Sequence, residues 1–297
     1  MWLNLQIFGF RALWSPYFFV FLLVIAIVYA LITGPYRHRF GGEDKPSAKQ
    51  QFMFYLALVL TYAVKGSPID LMSHITLTAH MTQMAIYILI VPILIIKGLP
   101  EWIWKKIVYA PVIRPTLKVL ANPIISVLLF YSLFSFYHVP FVFDFSKSTP
   151  IAHTLIHLIL LIAAFNMWLP ILAPVKELDK LKPLLKIAYV FVSAVLMTPA
   201  CVVIIFASAP LYASYSGGGA WITALSLCVP GDVLQGISGT LTGPSLFTSM
   251  DIMEDQQLGG IVMKVIQEIT YGFILANIFF KWFSKESLKI DPLPSDS

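Results

Sequence analysis

Residues 73–97 read SHITLTAHMTQMAIYILIVPILIIK. The second half is an unbroken apolar run, and the whole stretch meets the roughly 20 residues that a membrane-spanning helix requires. The first half places His74, His80, Met81, Gln83 and Met84 on what is expected to be the same spanning helix. His80 and Met84 are i, i+4 and share a face, with Gln83 beside them. His74 precedes His80 by six residues, about 240° round the helix, and so faces elsewhere. Residues 150–172, PIAHTLIHLILLIAAFNMWLPIL, are built alike: His153 and His157 are i, i+4 at the N-terminal end of an apolar helix.

Composition sets the class. In 297 residues, 58% are hydrophobic and 12% charged, and the mean hydropathy is +0.82, which excludes a soluble globular chain. The first seventeen residues hold one basic residue and no small-residue cleavage site, so no cleaved signal peptide is expected. Cys201 and Cys228 are too few for a disulfide framework and lack CxxC spacing.

Seven apolar segments are expected to span the bilayer: Pro16–Thr33, 51–64, 74–97, 123–138, Pro150–Leu172, 184–211 and 260–283. The net charge of +5 follows topology rather than a nucleic-acid surface. Sixteen of the 20 basic residues fall in segments 1–2, 3–4, 5–6 and the C-terminal tail. Basic loops stay cytoplasmic, so the N-terminus is expected outside and the C-terminus inside. The expectation is an all-α polytopic membrane protein with one seven-helix domain over 1–297. An outer segment, 212–259, joins the last two helices, and a cytoplasmic tail covers 284–297.

On this topology His74, His80, His138, His153 and His157 gather toward the external side, and helix 7 adds Lys264, Gln267 and Glu268. Polar groups at membrane depth are costly and mark a task. Imidazole and thioether in an apolar pocket suit a soft metal, above all Cu(I). His80, Met84, His153 and His157 are the candidate ligands, provided that helices 3 and 5 are neighbours. Gln83 and Glu268 are candidates to fix imidazole tautomers. Bland readings stand beside these: His74 and His138 as interhelical hydrogen-bonding groups, the methionines as core, and Lys264 and Glu268 neutralising one another at i, i+4. No nucleophile–base pair, HExxH or phosphate loop occurs, so no enzyme is expected.

The AHMTQM core of helix 3, HTLIHLILLIAAFNMWLPIL, APLYASY and DQQLGGIVMKV together resemble the CtaG family, seven-helix assembly factors for caa-type cytochrome c oxidase in Gram-positive bacteria. The resemblance covers nearly the whole chain, and DQQLGG before a spanning helix is its sharpest motif. It implies a role in maturing the oxidase in the bacterial cell membrane, with oxidase subunits as partners. Carried over by position, His80, Gln83, His153, His157, Asp255 and Gln256 form the polar signature. The family's helix 3 often reads H-x-x-Q-H, and Met84 stands here in place of the second histidine. Copper, taken from an extracytoplasmic donor, is inferred from residue chemistry. A haem-binding oxidoreductase and a copper transporter are the alternatives.

Overall fold

The computed structural model describes residues 2–237, 239, 241 and 243–290, without the side chains of 2, 3 and 287–290. Residues 291–297 of the expected tail, and Ser238, Thr240 and Thr242 of the Gly-rich run, lie outside them. The principal helices are α1 (Pro16–Thr33), α2 (Ala48–Lys65), α3 (Pro68–Ile75), α4 (Leu77–Gly98), α5 (Pro123–Tyr137), α6 (Pro140–Ser146), α7 (Pro150–Leu172), α8 (Pro183–Ile205), α9 (Gly218–Leu225) and α10 (Ile252–Ile290). Among the described residues there is no strand. Five helices are long and apolar enough to cross a membrane. Two bent pairs make the number seven when each counts as one span: α2 with α3, at 44°, and Ile113–Leu120 with α5, at 83°. The chain is a multi-pass, all-helical membrane protein.

The expected third span is corrected at its start. His74 and His80 do not share a helix, because α3 ends and α4 begins at Thr76, whose backbone is extended (φ −128°, ψ 143°). Every N–H of the new helix end is satisfied, as burial demands. Asp255 Oδ2 accepts from Leu77 N at 2.6 Å and Oδ1 from Thr78 N at 3.1 Å. Thr76 Oγ1 accepts from Ala79 N at 3.3 Å, and the Thr76 carbonyl accepts from His80 N at 3.2 Å. Further along α4, Pro92 offers no N–H, and the ladder widens to a π-turn over Ala85–Ile90.

Other boundaries shift for local reasons. α8 stops at Ile205 rather than 211, and Pro210 could not continue it, because its ring would clash with the Phe206 carbonyl and it has no N–H to donate there. α10 starts at Ile252 rather than 260. Asp251 Oδ2 accepts from Met253 N at 3.0 Å, while Glu254 Oε2 accepts from Asp251 N at 3.3 Å, a reciprocal cap.

Helix α4 lies at the centre, packed on α2, α7 and α10, with α5 and α8 completing the bundle. A second apolar core covers one end. In it Leu5, Phe8, Ala12 and Leu13 from the N-terminal segment meet Leu71 and Ile75 of α3 and Trp221 and Leu225 of α9. This cap lies over α3, which carries Asp70 and His74.

Candidate functional site

The two histidine-bearing helix ends meet. Ring centroids lie 5.2 Å apart for His74 and His153, 4.0 Å for His153 and His157, and 6.0 Å for His157 and His80. The four imidazoles thus form a continuous run from α3 across α7 to α4. His74, His80 and His157 are buried and His153 is partly so. The Nδ1 atoms of His80 and His153 are buried and have no hydrogen-bond partner.

Helix starts fix these positions. Thr149 caps α7 by accepting from Ala152 N at 3.2 Å, which places His153 and His157 one and two turns inside. The extended residue Thr76 turns α4 away from α3, so His74 and His80 reach the pocket from different helices.

Tyr137, the last residue of α5, joins two of the imidazoles. Its Oη lies 3.2 Å from His80 Nε2 and 3.2 Å from His157 Nε2. Lys65 Nζ lies 2.9 Å from His157 Nδ1 and 3.3 Å from Gln83 Oε1. An ammonium only donates, so His157 Nδ1 accepts and Nε2 carries the proton. His157 then donates to Tyr137, and His80 Nε2 meets the same hydroxyl, so that Nδ1 is the His80 ring nitrogen without a partner. The lysine donor thus assigns the His157 tautomer.

A second lysine, Lys147, enters from the turn after α6. It is 1% exposed; its Nζ donates to the Ser73 carbonyl at 3.2 Å and lies 3.3 Å from His74 Nδ1. Burial, and next the positive charge of Lys65, lower its pKa from 10.5 to about 7. Tyr215 Oη donates to the same Ser73 carbonyl at 2.6 Å. A cavity of about 470 Å³, lined by Tyr215, Met250, Asp251 and Asp255 among others, opens beside it.

Gln83 holds the adjoining polar group. Its Nε2 donates to Asp70 Oδ1 at 2.6 Å and to the Val64 carbonyl. Cys228 Sγ donates to Asp70 Oδ2 at 3.5 Å. Burial and the Asp70 carboxylate push the Cys228 thiol well above its ordinary pKa, while Lys147 and Lys65 act in the opposite sense.

The remaining expected residues lie apart from the imidazole run. Met84 is fully buried in the main apolar core one turn beyond His80. Exposed Glu268 pairs with part-buried Lys264 at 2.7 Å on α10, the mutual neutralisation that i, i+4 spacing allows, and Lys264 Nζ also donates to Thr198 Oγ1 at 3.0 Å. Asp255 and Gln256 clasp helices: besides the α4 cap, Gln256 Oε1 accepts from Leu211 N at 2.7 Å and Nε2 donates to the Ile204 carbonyl at 3.2 Å. The glycines that follow permit the approach. A Cβ on Gly259 would stand 3.2 Å from the Leu77 carbonyl, and one on Gly260 would stand 2.7 Å from Ile205 Cγ1. His138 closes α5 with Nδ1 2.7 Å from the Phe134 carbonyl.

Sequence reasoning missed Lys65, Asp70, Tyr137, Lys147, Tyr215 and Cys228. The signal for the lysines lay in the charge count itself: Lys65 and Lys147 were exceptions to the cytoplasmic bias. Both are drawn into the polar cluster.

Among known protein families, a model described as cytochrome c oxidase caa3 assembly factor (Caa3_CtaG) matches residues 27–285. Comparison with curated proteins and with solved structures gave no match.

Proposed function

As the chain belongs to the cytochrome c oxidase caa3 assembly factor family, we propose that it matures the oxidase by carrying copper through its imidazole cluster, at the external side of the bacterial cell membrane. The observation that carries this reading is the run of four neighbouring histidine rings, 4.0–6.0 Å between successive centroids, with unpartnered Nδ1 atoms on His80 and His153. Neutral imidazoles in a buried, largely apolar setting suit a cuprous ion, which accepts nitrogen donors at low coordination number. His80 and His153 offer those atoms to the cargo, and His157 does so once Lys65 releases its Nδ1, with His74 at the start of the run. Tyr137, Gln83 and Lys65 orient the rings from behind, as outer partners of metal-binding histidines do. The external placement is supported by the concentration of basic residues at the other ends of the helices.

The protein acts as a carrier rather than a catalyst, and its partners are oxidase subunits and an extracytoplasmic copper donor. Haem ligation by His80 and His157 is less well supported, because the Tyr137 hydroxyl lies between their Nε2 atoms. In cells carrying His153→Ala/His157→Ala, oxidase copper content and activity are expected to fall while the protein level in the membrane is kept. Full activity with that double change overturns the proposal.

A further inference from the structure

A second donor set adjoins the imidazole run. Asp70 and His74 are i, i+4 on α3, and Cys228 comes from the segment after α9; one donor atom from each lies within 4.8 Å of the other two. These residues link distant parts of the chain beneath the cap, so the fold itself assembles the group. The set is asymmetric. Cys228 and His74 supply sulfur and nitrogen, whereas the Asp70 carboxylate already accepts from the Cys228 thiol and from Gln83.

We propose that Cys228 and His74 form an entry site for a monovalent soft cation, Cu(I), which then reaches His153 along the imidazole run. The proposal relies on the copper reading above for its biological purpose, while the donor chemistry stands on these three side chains. Two donors on opposite sides of an ion, each at about 2.0–2.3 Å, are separated by about 4–4.6 Å, which donor atoms within 4.8 Å of one another admit. A thioether- and thiolate-seeking cation selects this pair over an all-oxygen site.

Charge selects the valence. Lys147 Nζ stands 3.3 Å from His74 Nδ1, and Lys65 lies behind Gln83. A divalent ion that displaces one proton would add a net positive charge to this buried group, at a high cost in a medium of low dielectric whether or not the neighbouring amines carry their protons. Binding of Cu(I) exchanges one positive charge for another. The S–H bond breaks, a sulfur–copper bond forms, and the proton passes to Asp70 Oδ2 and on to solvent. No electron is transferred. Asp70 is therefore a positioning residue and proton acceptor, and His74 touches both sites, with its ring 5.2 Å from that of His153.

The test uses the purified full-length protein without oxygen, titrated with Cu(I) against a chromophoric cuprous chelator. Copper-edge X-ray absorption of the first equivalent is expected to show one sulfur donor with nitrogen. Cys228→Ser is expected to remove that sulfur and one equivalent of copper, and Asp70→Asn to weaken binding about tenfold or more. Cu(I) is also expected to protect Cys228, but not Cys201, from maleimide, as read by mass spectrometry. A first equivalent bound by nitrogen and oxygen alone, full stoichiometry in Cys228→Ser, or displacement of Cu(I) by equimolar Zn²⁺ overturns the proposal. The absorption spectrum of the wild-type protein decides the matter even where a variant folds poorly. His153→Ala/His157→Ala, which removes donors of the imidazole run alone, is expected to keep the sulfur-bound equivalent; failure of oxidase delivery is thereby separated from failure of the Cys228 site.

Discussion

The carboxylate of Asp255 binds the backbone N–H of Leu77 at 2.6 Å across 178 residues of sequence. One side chain of α10 thereby closes the buried N-terminus of the helix that carries His80. Anionic groups belong at such ends, where free N–H groups and the helix dipole converge. Asp255→Ala removes the acceptor of two N–H groups. The expected loss of stability is about 1–3 kcal/mol, the penalty for leaving buried donors unpaired, measured by thermal unfolding in detergent. Asp255→Asn keeps one acceptor and is expected to fall between. No change in either variant contradicts the clasp.

Gly259 tests the same contact from the other side. Its substitution by Ala would press a Cβ to 3.2 Å from the Leu77 carbonyl and the Thr78 nitrogen. Backbone cannot swing aside as a side chain does, so overpacking by about 1–3 kcal/mol is expected, again read as a lowered unfolding temperature.

Tyr137→Phe removes the hydroxyl held between two imidazoles. His157 loses the acceptor for its Nε2–H and His80 Nε2 loses its partner, at a cost of about 1–3 kcal/mol. The rings also lose their fixed orientation, so cuprous affinity is expected to fall about 10–100-fold. Chelator competition on the purified variant measures it.

Lys147 gives the pH dependence. Burial lowers its pKa from 10.5 to about 7, so between those values the unfolded chain binds a proton that the folded chain has released. Stability contributed by this group therefore rises with pH from about 7 to about 10 and is lost on acidification through 7. Lys147→Met is expected to flatten that rise in unfolding experiments across the same window.

Much of this was legible in the sequence, for physical reasons. Apolar runs of spanning length give the helices, and the i, i+4 spacing of His153 and His157 puts both rings on one face of α7. What the sequence hid is what depends on contacts between distant segments. Thr76 looks like any threonine before a helix; it breaks the expected span because Asp255, far along the chain, supplies the missing caps. Cys228 and Asp70 carry no motif spacing at all, and only the folding of the cap over α3 unites them. Asp251 and Glu254 form a local start signal that was there to read before the expected seventh span.

The most direct measurement is the cuprous stoichiometry and affinity of the full-length protein against a competing chelator, compared with His153→Ala/His157→Ala. Tight binding is expected in the wild type, with the imidazole-bound copper lost in the double variant. Identical copper binding in the two proteins, or none in the wild type, contradicts it.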